Sequence, residues 1–292
     1  MKTNEIIQIA HDTLMRRRAG IVAAAGADWQ ADCIRELQIT TGLKLDDTQT
    51  SCEVSFRVME SGPNDLGPTR AIWAEAKRLA AANDDISKAA DLLVDHWLTH
   101  LPLVPREDAD IFDALGMYFA EDGVVRARAE LYWARIAAFS ARSKPMTTQV
   151  TAEAVAKVVM LHELAHYVTH QGCYEGRHWE CFPSGQDVVE IVAQVATEDV
   201  IRRLNDGRLL AAFECLLQNA PAKYSAHRKI VEKLKSEFAD SKLYPHFEDF
   251  WPFFRAKIQP PTSSLNTTAS LHEAIELIKN LASSEHGLDL TF

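Results

Sequence analysis

The sequence predicts a predominantly helical α+β chain with one small antiparallel or mixed sheet. Stretches with helical apolar spacing recur along the chain, and no Pro or Gly interrupts Thr151 to His170. Stretches with strict alternation are few and short, chiefly Glu53 to Glu60 and Val124 to Tyr132. With 292 residues, 47% of them hydrophobic, the chain can bury a sizeable core in one large or two smaller domains.

In chain order, Asn4 to about Gln38 reads as helix, with a break near Gly26. In Glu53 to Glu60, Val54, Phe56 and Val58 alternate with Ser55, Arg57 and Met59, the pattern of a strand. Gly62-Pro63 and Gly67-Pro68 mark a loop. Thr69 to about Asn83 is an alanine-rich helix, followed by a second helix from Ile86 to about His100. Pro102 and Pro105 break the chain again.

Gly116 to Gly123 reads as the turn of a β-hairpin. The strand after it, Val124 to Tyr132, sets Arg126, Arg128 and Glu130 against Val125, Ala127, Ala129 and Leu131. Thr151 to His170 is an apolar helix that Gly172 can stop. Ser184 to Asp187 offers an N-cap for a helix that runs to Leu204 and ends near Asp206-Gly207. Pro221 opens a further helix to about Phe238. Tyr244 to Phe254 is rich in aromatic residues and suits docking onto the core. Pro260-Pro261 begins a linker, and Ser270-Leu-His-Glu273 is a capping box for a last helix to about Ala282. The regions are therefore 1–115, helical with one strand; 116–258, which holds the chemistry; and 259–292, linker and helix.

No apolar run approaches the length of a membrane span, and no secretory signal core is present at the N-terminus. Five cysteines without a secretory segment suit a reducing, cytoplasmic setting. A formal net charge of −10 disfavours nucleic acid as a partner, and Arg16-Arg17-Arg18 is too short to reverse that.

The chemistry centres on His162-Glu163-Leu164-Ala165-His166. On a helix, positions i and i+4 lie one turn apart on one face, so both imidazoles can reach one zinc ion. Glu163 leaves the helix at another angle, where a general base can act on a water activated by the metal. A catalytic zinc needs three protein ligands and an open position. The metzincin spacing is excluded, because Thr169 and Gly172 stand where it requires Gly and His. His170 is one turn beyond His166, too far along the axis to close the site, and reads as a supporting or surface residue. The third ligand is sought on the next helix, in a polar stripe of Asp187, Glu190, Gln194, Thr197, Glu198 and Arg202. Glu190 is favoured, with Glu198 in reserve. The intervening loop holds Cys173, His178 and Cys181, a weaker rival as a structural zinc cluster.

With Glu190-Ile-Val-Ala193-Gln194 downstream of the His-Glu-x-x-His helix, the chain resembles the gluzincin zinc metallopeptidases. In that family a glutamate on the following helix is the third ligand. The resemblance spans about Val124 to Lys235 and implies a zincin-like core with one Zn²⁺ per chain. It implies His162, His166 and Glu190 as ligands and Glu163 as catalytic base. Where the family often has an aspartate, this chain has Gln194, which can accept a hydrogen bond from a ligand imidazole but supplies no charge. Several gluzincins place a His, Tyr or Arg after the glutamate helix to stabilise the oxyanion. By resemblance Tyr224, His227 and Arg228 are candidates, with His178 in the loop as another. Zincin folds also pair an edge strand with extended substrate. Val124 to Trp133 resembles that strand, and Arg126, Arg128 and Arg135 would favour acidic segments.

The expected function is hydrolysis of peptide bonds in a protein or peptide substrate, with a regulatory protein partner or the terminal helices gating access. The rival expectations are a non-catalytic scaffold that binds a protein, and a metal-dependent hydrolase of a non-peptide bond.

Overall fold

A computed structural model describes residues 2–45, 78, 86–100, 115–120, 127–143, 150–174, 177–178, 186–220, 227–232 and 250–251. The elements are α1 (Lys2–Ala24), α2 (Ala27–Thr41), α3 (Ile86–His100), β1 (Gly116–Phe119), β2 (Arg128–Leu131), α4 (Trp133–Arg142), α5 (Ala152–Gln171), β3 (Cys173–Tyr174), β4 (Arg177–His178), α6 (Gln186–Leu204) and α7 (Gly207–Asn219). Residues 227–232 are also helical. The described chain is mostly helical, with two small antiparallel strand pairs, β1–β2 and β3–β4.

The core is organised around α5. From Val158 to Thr169 every residue of this helix is buried. A helix apolar on all sides must sit in the interior rather than on a face. Accordingly α5 is packed by α1, α2, α4, α6 and α7 and by both strands of the β1–β2 pair. Val155, Val158, Leu161, Leu164 and Val168 are fully buried, each contributing about 1.5–3 kcal/mol relative to exposure. On one flank α1 packs on α3 and α4, and on the other α2 packs on α6.

Local chemistry sets the ends of α5. The Thr151 hydroxyl accepts the Ala154 N–H at 3.2 Å, and Glu153 lies in the first turn, where the helix dipole favours an acid. At the other end Gly172 is extended (φ −64°, ψ 147°), not left-handed, and its N–H donates to the Val168 carbonyl. The glycine is required by crowding: a Cβ there would strike the Val168 oxygen and Leu43. The break near Gly26 is present, with α1 ending at Ala24 and α2 starting at Ala27. After α6, Asn205 (φ 52°) takes the left-handed conformation and Asp206 caps α7 through the N–H groups of Arg208 and Leu209.

Two sequence expectations are corrected in the sheet. Gly116–Phe119 is not a turn but a strand, paired with β2 in the register Gly116↔Leu131, Met117↔Glu130, Tyr118↔Ala129 and Phe119↔Arg128. In addition, the second strand does not reach Trp133, which opens α4. Arg135 therefore lies on a helix, 7% exposed, with burial lowering its pKa and its guanidinium 5.1 Å from the Tyr132 ring. It faces no substrate strand. Glu130 is buried too, accepting from Arg128 Nε at 3.0 Å, so β2 has no solvated face there. Arg128 in turn covers the Phe119 ring at 4.1 Å.

The expected strand Glu53 to Glu60, nearly all of the helix from Thr69, residues 124–126 of the second strand with Arg126, the Ser184 cap, the aromatic segment apart from Phe250 and Trp251, and the segment from Pro260 onward lie outside the described residues. Among the described residues, no helix is long and apolar enough to cross a membrane.

Candidate metal centre

α5 and α6 lie side by side and present their polar positions to each other. His162 and His166 are one turn apart on α5, 1% and 6% exposed, and Glu190 on α6 is 8% exposed. His166 Nε2 is 3.1 Å from His162 Nε2. Glu190 Oε2 is 3.3 Å from His162 Nε2, and Glu190 Oε1 is 3.3 Å from His166 Nε2. One ligand atom from each residue fits within 4.8 Å of the others.

Those separations suit a metal. At zinc–ligand lengths of about 2.0–2.1 Å, tetrahedral neighbours lie about 3.3–3.4 Å apart. Each Glu190 oxygen thus lies 3.3 Å from one ligand imidazole nitrogen, and among the described residues Oε2 meets no hydrogen-bond geometry. Two imidazole nitrogens and a carboxylate oxygen are the donors that zinc takes at catalytic sites.

Electrostatics agree with the geometry. Burial, the largest influence, pushes the His162 imidazole below its ordinary value of 6.5, with Glu190 opposing. The ring is held neutral, the form that binds a metal. For Glu190, burial acts upward but is outweighed by the facing His166 and His162, which hold the carboxyl well below its ordinary range. It stays ionised.

Glu163 is 3% exposed, and its side chain lies against β1. A Cβ on Gly116 would lie 2.9 Å from Glu163 Oε1, so the strand backbone runs directly over the carboxylate. Sequence reasoning placed a turn at this position and missed the element.

It also missed Tyr118. This residue of β1 stacks on His166, ring centroids 6.2 Å apart and planes 12° apart. Its hydroxyl is 3.2 Å from Nδ1 of His170. His170 is thus a supporting residue one turn below the second histidine, its pKa lowered first by burial and then by His166. The apolar run Met117-Tyr118-Phe119 ahead of Glu121-Asp122-Gly123 was the available signal for a strand.

The reserve ligand, Glu198, is excluded from the centre by its partners. It receives His227 Nε2 at 2.6 Å, Arg228 Nε at 2.8 Å and Arg202 Nε at 2.9 Å. Burial acts upward on its pKa, yet His227, Arg228 and Arg202 together hold it well below the ordinary range. Arg228 extends the network to Glu214, and its own pKa is raised by that carboxylate. His227 is 2% exposed.

Of the stripe on α6, Glu190, Gln194, Thr197 and Glu198 are buried, while Arg202 at its end is exposed. Gln194 is fully buried, and among the described residues neither amide atom is hydrogen-bonded, so the expected bond to a ligand imidazole is not made. Tyr167 packs in the core at 2% exposure. Tyr224, Cys181 and the side chains of Cys173 and His178 lie outside what the structure describes. Among the described residues, His162, His166 and Glu190 form the one group able to hold a metal. No protein-family model, curated protein or solved structure matches the chain.

Proposed function

We propose that this chain is a zinc-dependent metallopeptidase of the gluzincin type, with a zincin-like core. The observation that carries the reading is the convergence of His162 Nε2, His166 Nε2 and Glu190 on one buried point. Glu163 lies on the turn between the two histidines. Buried imidazoles facing a buried carboxylate are expensive to keep unless a cation joins them.

His162, His166 and Glu190 would hold the ion. When bound, zinc supplies Lewis acidity, lowering the pKa of water toward neutrality and polarising a carbonyl oxygen. The remaining work belongs to the chain. Glu163 accepts the proton from the attacking water on a carboxylate oxygen and delivers it to the departing amine. The backbone of β1 confines that carboxylate from above. By the resemblance, His227, whose Nε2 is hydrogen-bonded to Glu198, would be the donor for negative charge growing on the carbonyl oxygen.

β1, rather than β2, is the strand suited to extended substrate. Gly116 lies over Glu163, and among the described residues nothing pairs with the second edge of β1.

Zinc-loaded protein should cleave members of a diverse peptide library. Glu163→Gln should keep its metal while turnover falls by about 10²–10⁴-fold. Wild-type turnover in that variant, or no cleavage by the loaded wild type, would remove the peptidase reading.

A further inference from the structure

Tyr118 touches the metal centre without offering a ligand. Its ring lies nearly parallel to His166, with centroids 6.2 Å apart, and makes an edge contact with His170 at 6.0 Å. Being four residues apart on α5, these two histidines share one helix face, and Tyr118 spans both. It comes from β1, a different element, so the contact fixes the strand against the second turn of the motif.

Nδ1 of His170 lies 3.2 Å from the Tyr118 hydroxyl and 3.0 Å from Gln171 Nε2. The hydroxyl end of Tyr118 is thus held at His170, one turn away from the ligand atoms, while its ring lies against the His166 imidazole.

We propose, resting on the metal centre assigned above, that Tyr118 is a positioning residue for the ligand His166, with His170 as its anchor. The phenol ring limits rotation of the His166 imidazole, keeping Nε2 directed at the point shared with His162 and Glu190. The hydrogen bond to His170 keeps the phenol ring itself in place. Ligating histidines are commonly oriented by a hydrogen bond from their second nitrogen. Here an aromatic face performs that task, and its position is set by the next histidine along the helix.

The test uses cobalt(II) as the probe, added to full-length apoprotein. It reads affinity by chelator competition and ligand geometry by visible absorption. Wild type, Tyr118→Phe, Tyr118→Ala, His170→Ala, the Tyr118→Phe/His170→Ala pair and Glu190→Ala are compared after circular dichroism confirms folding. Tyr118→Ala should weaken cobalt binding by about tenfold or more and alter the spectrum. Tyr118→Phe and His170→Ala keep the ring in the site, and each should weaken binding by a smaller factor. Their combination should be no worse than the stronger single change, because both break one hydrogen bond. If wild type binds cobalt and Glu190→Ala does not, but the Tyr118 and His170 variants match wild type in affinity and spectrum, the positioning role is wrong and the metal centre stands. If wild type binds no cobalt, the metal centre fails and the positioning role falls with it. Should Tyr118→Ala not fold, Tyr118→Phe and His170→Ala decide the matter alone.

Discussion

Gly116 and Glu163 are in direct apposition: a Cβ on the glycine would lie 2.9 Å from Glu163 Oε1 and 2.6 Å from Val159 Cγ1. Val159 is β-branched and fully buried, so it cannot swing aside. The carboxylate proposed as the base is thus seated by a strand backbone that tolerates no side chain.

Gly116→Ala should therefore displace either β1 or Glu163 while leaving the metal ligands alone. A shift of about 1 Å at a reacting group can lower turnover by about 10²-fold. The expected outcome is a large drop in kcat at unchanged zinc content. Wild-type kcat in this variant would show that β1 does not seat the base.

Zinc should also stabilise the fold. Ligand at about 100 times its Kd adds about 2.7 kcal/mol to unfolding free energy. For a chain of 292 residues that is a rise of several degrees in Tm. Differential scanning calorimetry with and without zinc checks it, and the increment should vanish in His162→Ala. An equal increment in that variant would place the bound zinc elsewhere.

Much of this site was legible because it rests on helical periodicity. The spacing of His162 and His166 puts them on one face whatever surrounds them, and Glu190 sits in a stripe whose period is that of a helix. What lay beyond reach was tertiary. Gly116–Phe119 is four residues long, too short to show alternation, and its glycine reads as a turn until the motif helix is seen crowding it. Glu198 pairs with His227 across 29 residues of sequence, a partnership no local pattern announces. The polar stripe on α6 looked the same whether solvated or buried. Only the packing of α5 against α6 shows that most of it lies inside.

Gln194 yields a prediction of the opposite sign. Its side chain is 0% exposed and both amide atoms lack partners among the described residues, a penalty of about 1–3 kcal/mol per group. Gln194→Leu, similar in volume, should raise the unfolding free energy by about 1–2 kcal/mol. Urea denaturation of the metal-free protein measures it. A loss of stability would mean that the amide has a partner in solution.

The Glu198 cluster should govern the acid limb of stability. The folded pKa of Glu198 is depressed below its ordinary 4.5, so the unfolded chain takes up a proton first as pH falls. Its contribution is complete above about pH 4.5 and is lost as pH drops toward the folded pKa. Because Arg202 and Arg228 are partly solvated, that contribution should be about 1–2 kcal/mol. Glu198→Gln should flatten the curve of unfolding free energy against pH below about 4.5. An acid limb as steep as that of wild type would assign it to other carboxylates.

The most direct measurement is the zinc content of the purified protein by elemental mass spectrometry, wild type beside Glu190→Ala, after zinc addition and removal of excess. About one zinc per chain in the wild type, with little or none in the variant, is the expected result and would establish the three-residue centre. No zinc in the wild type, or an equal amount in both proteins, would contradict it.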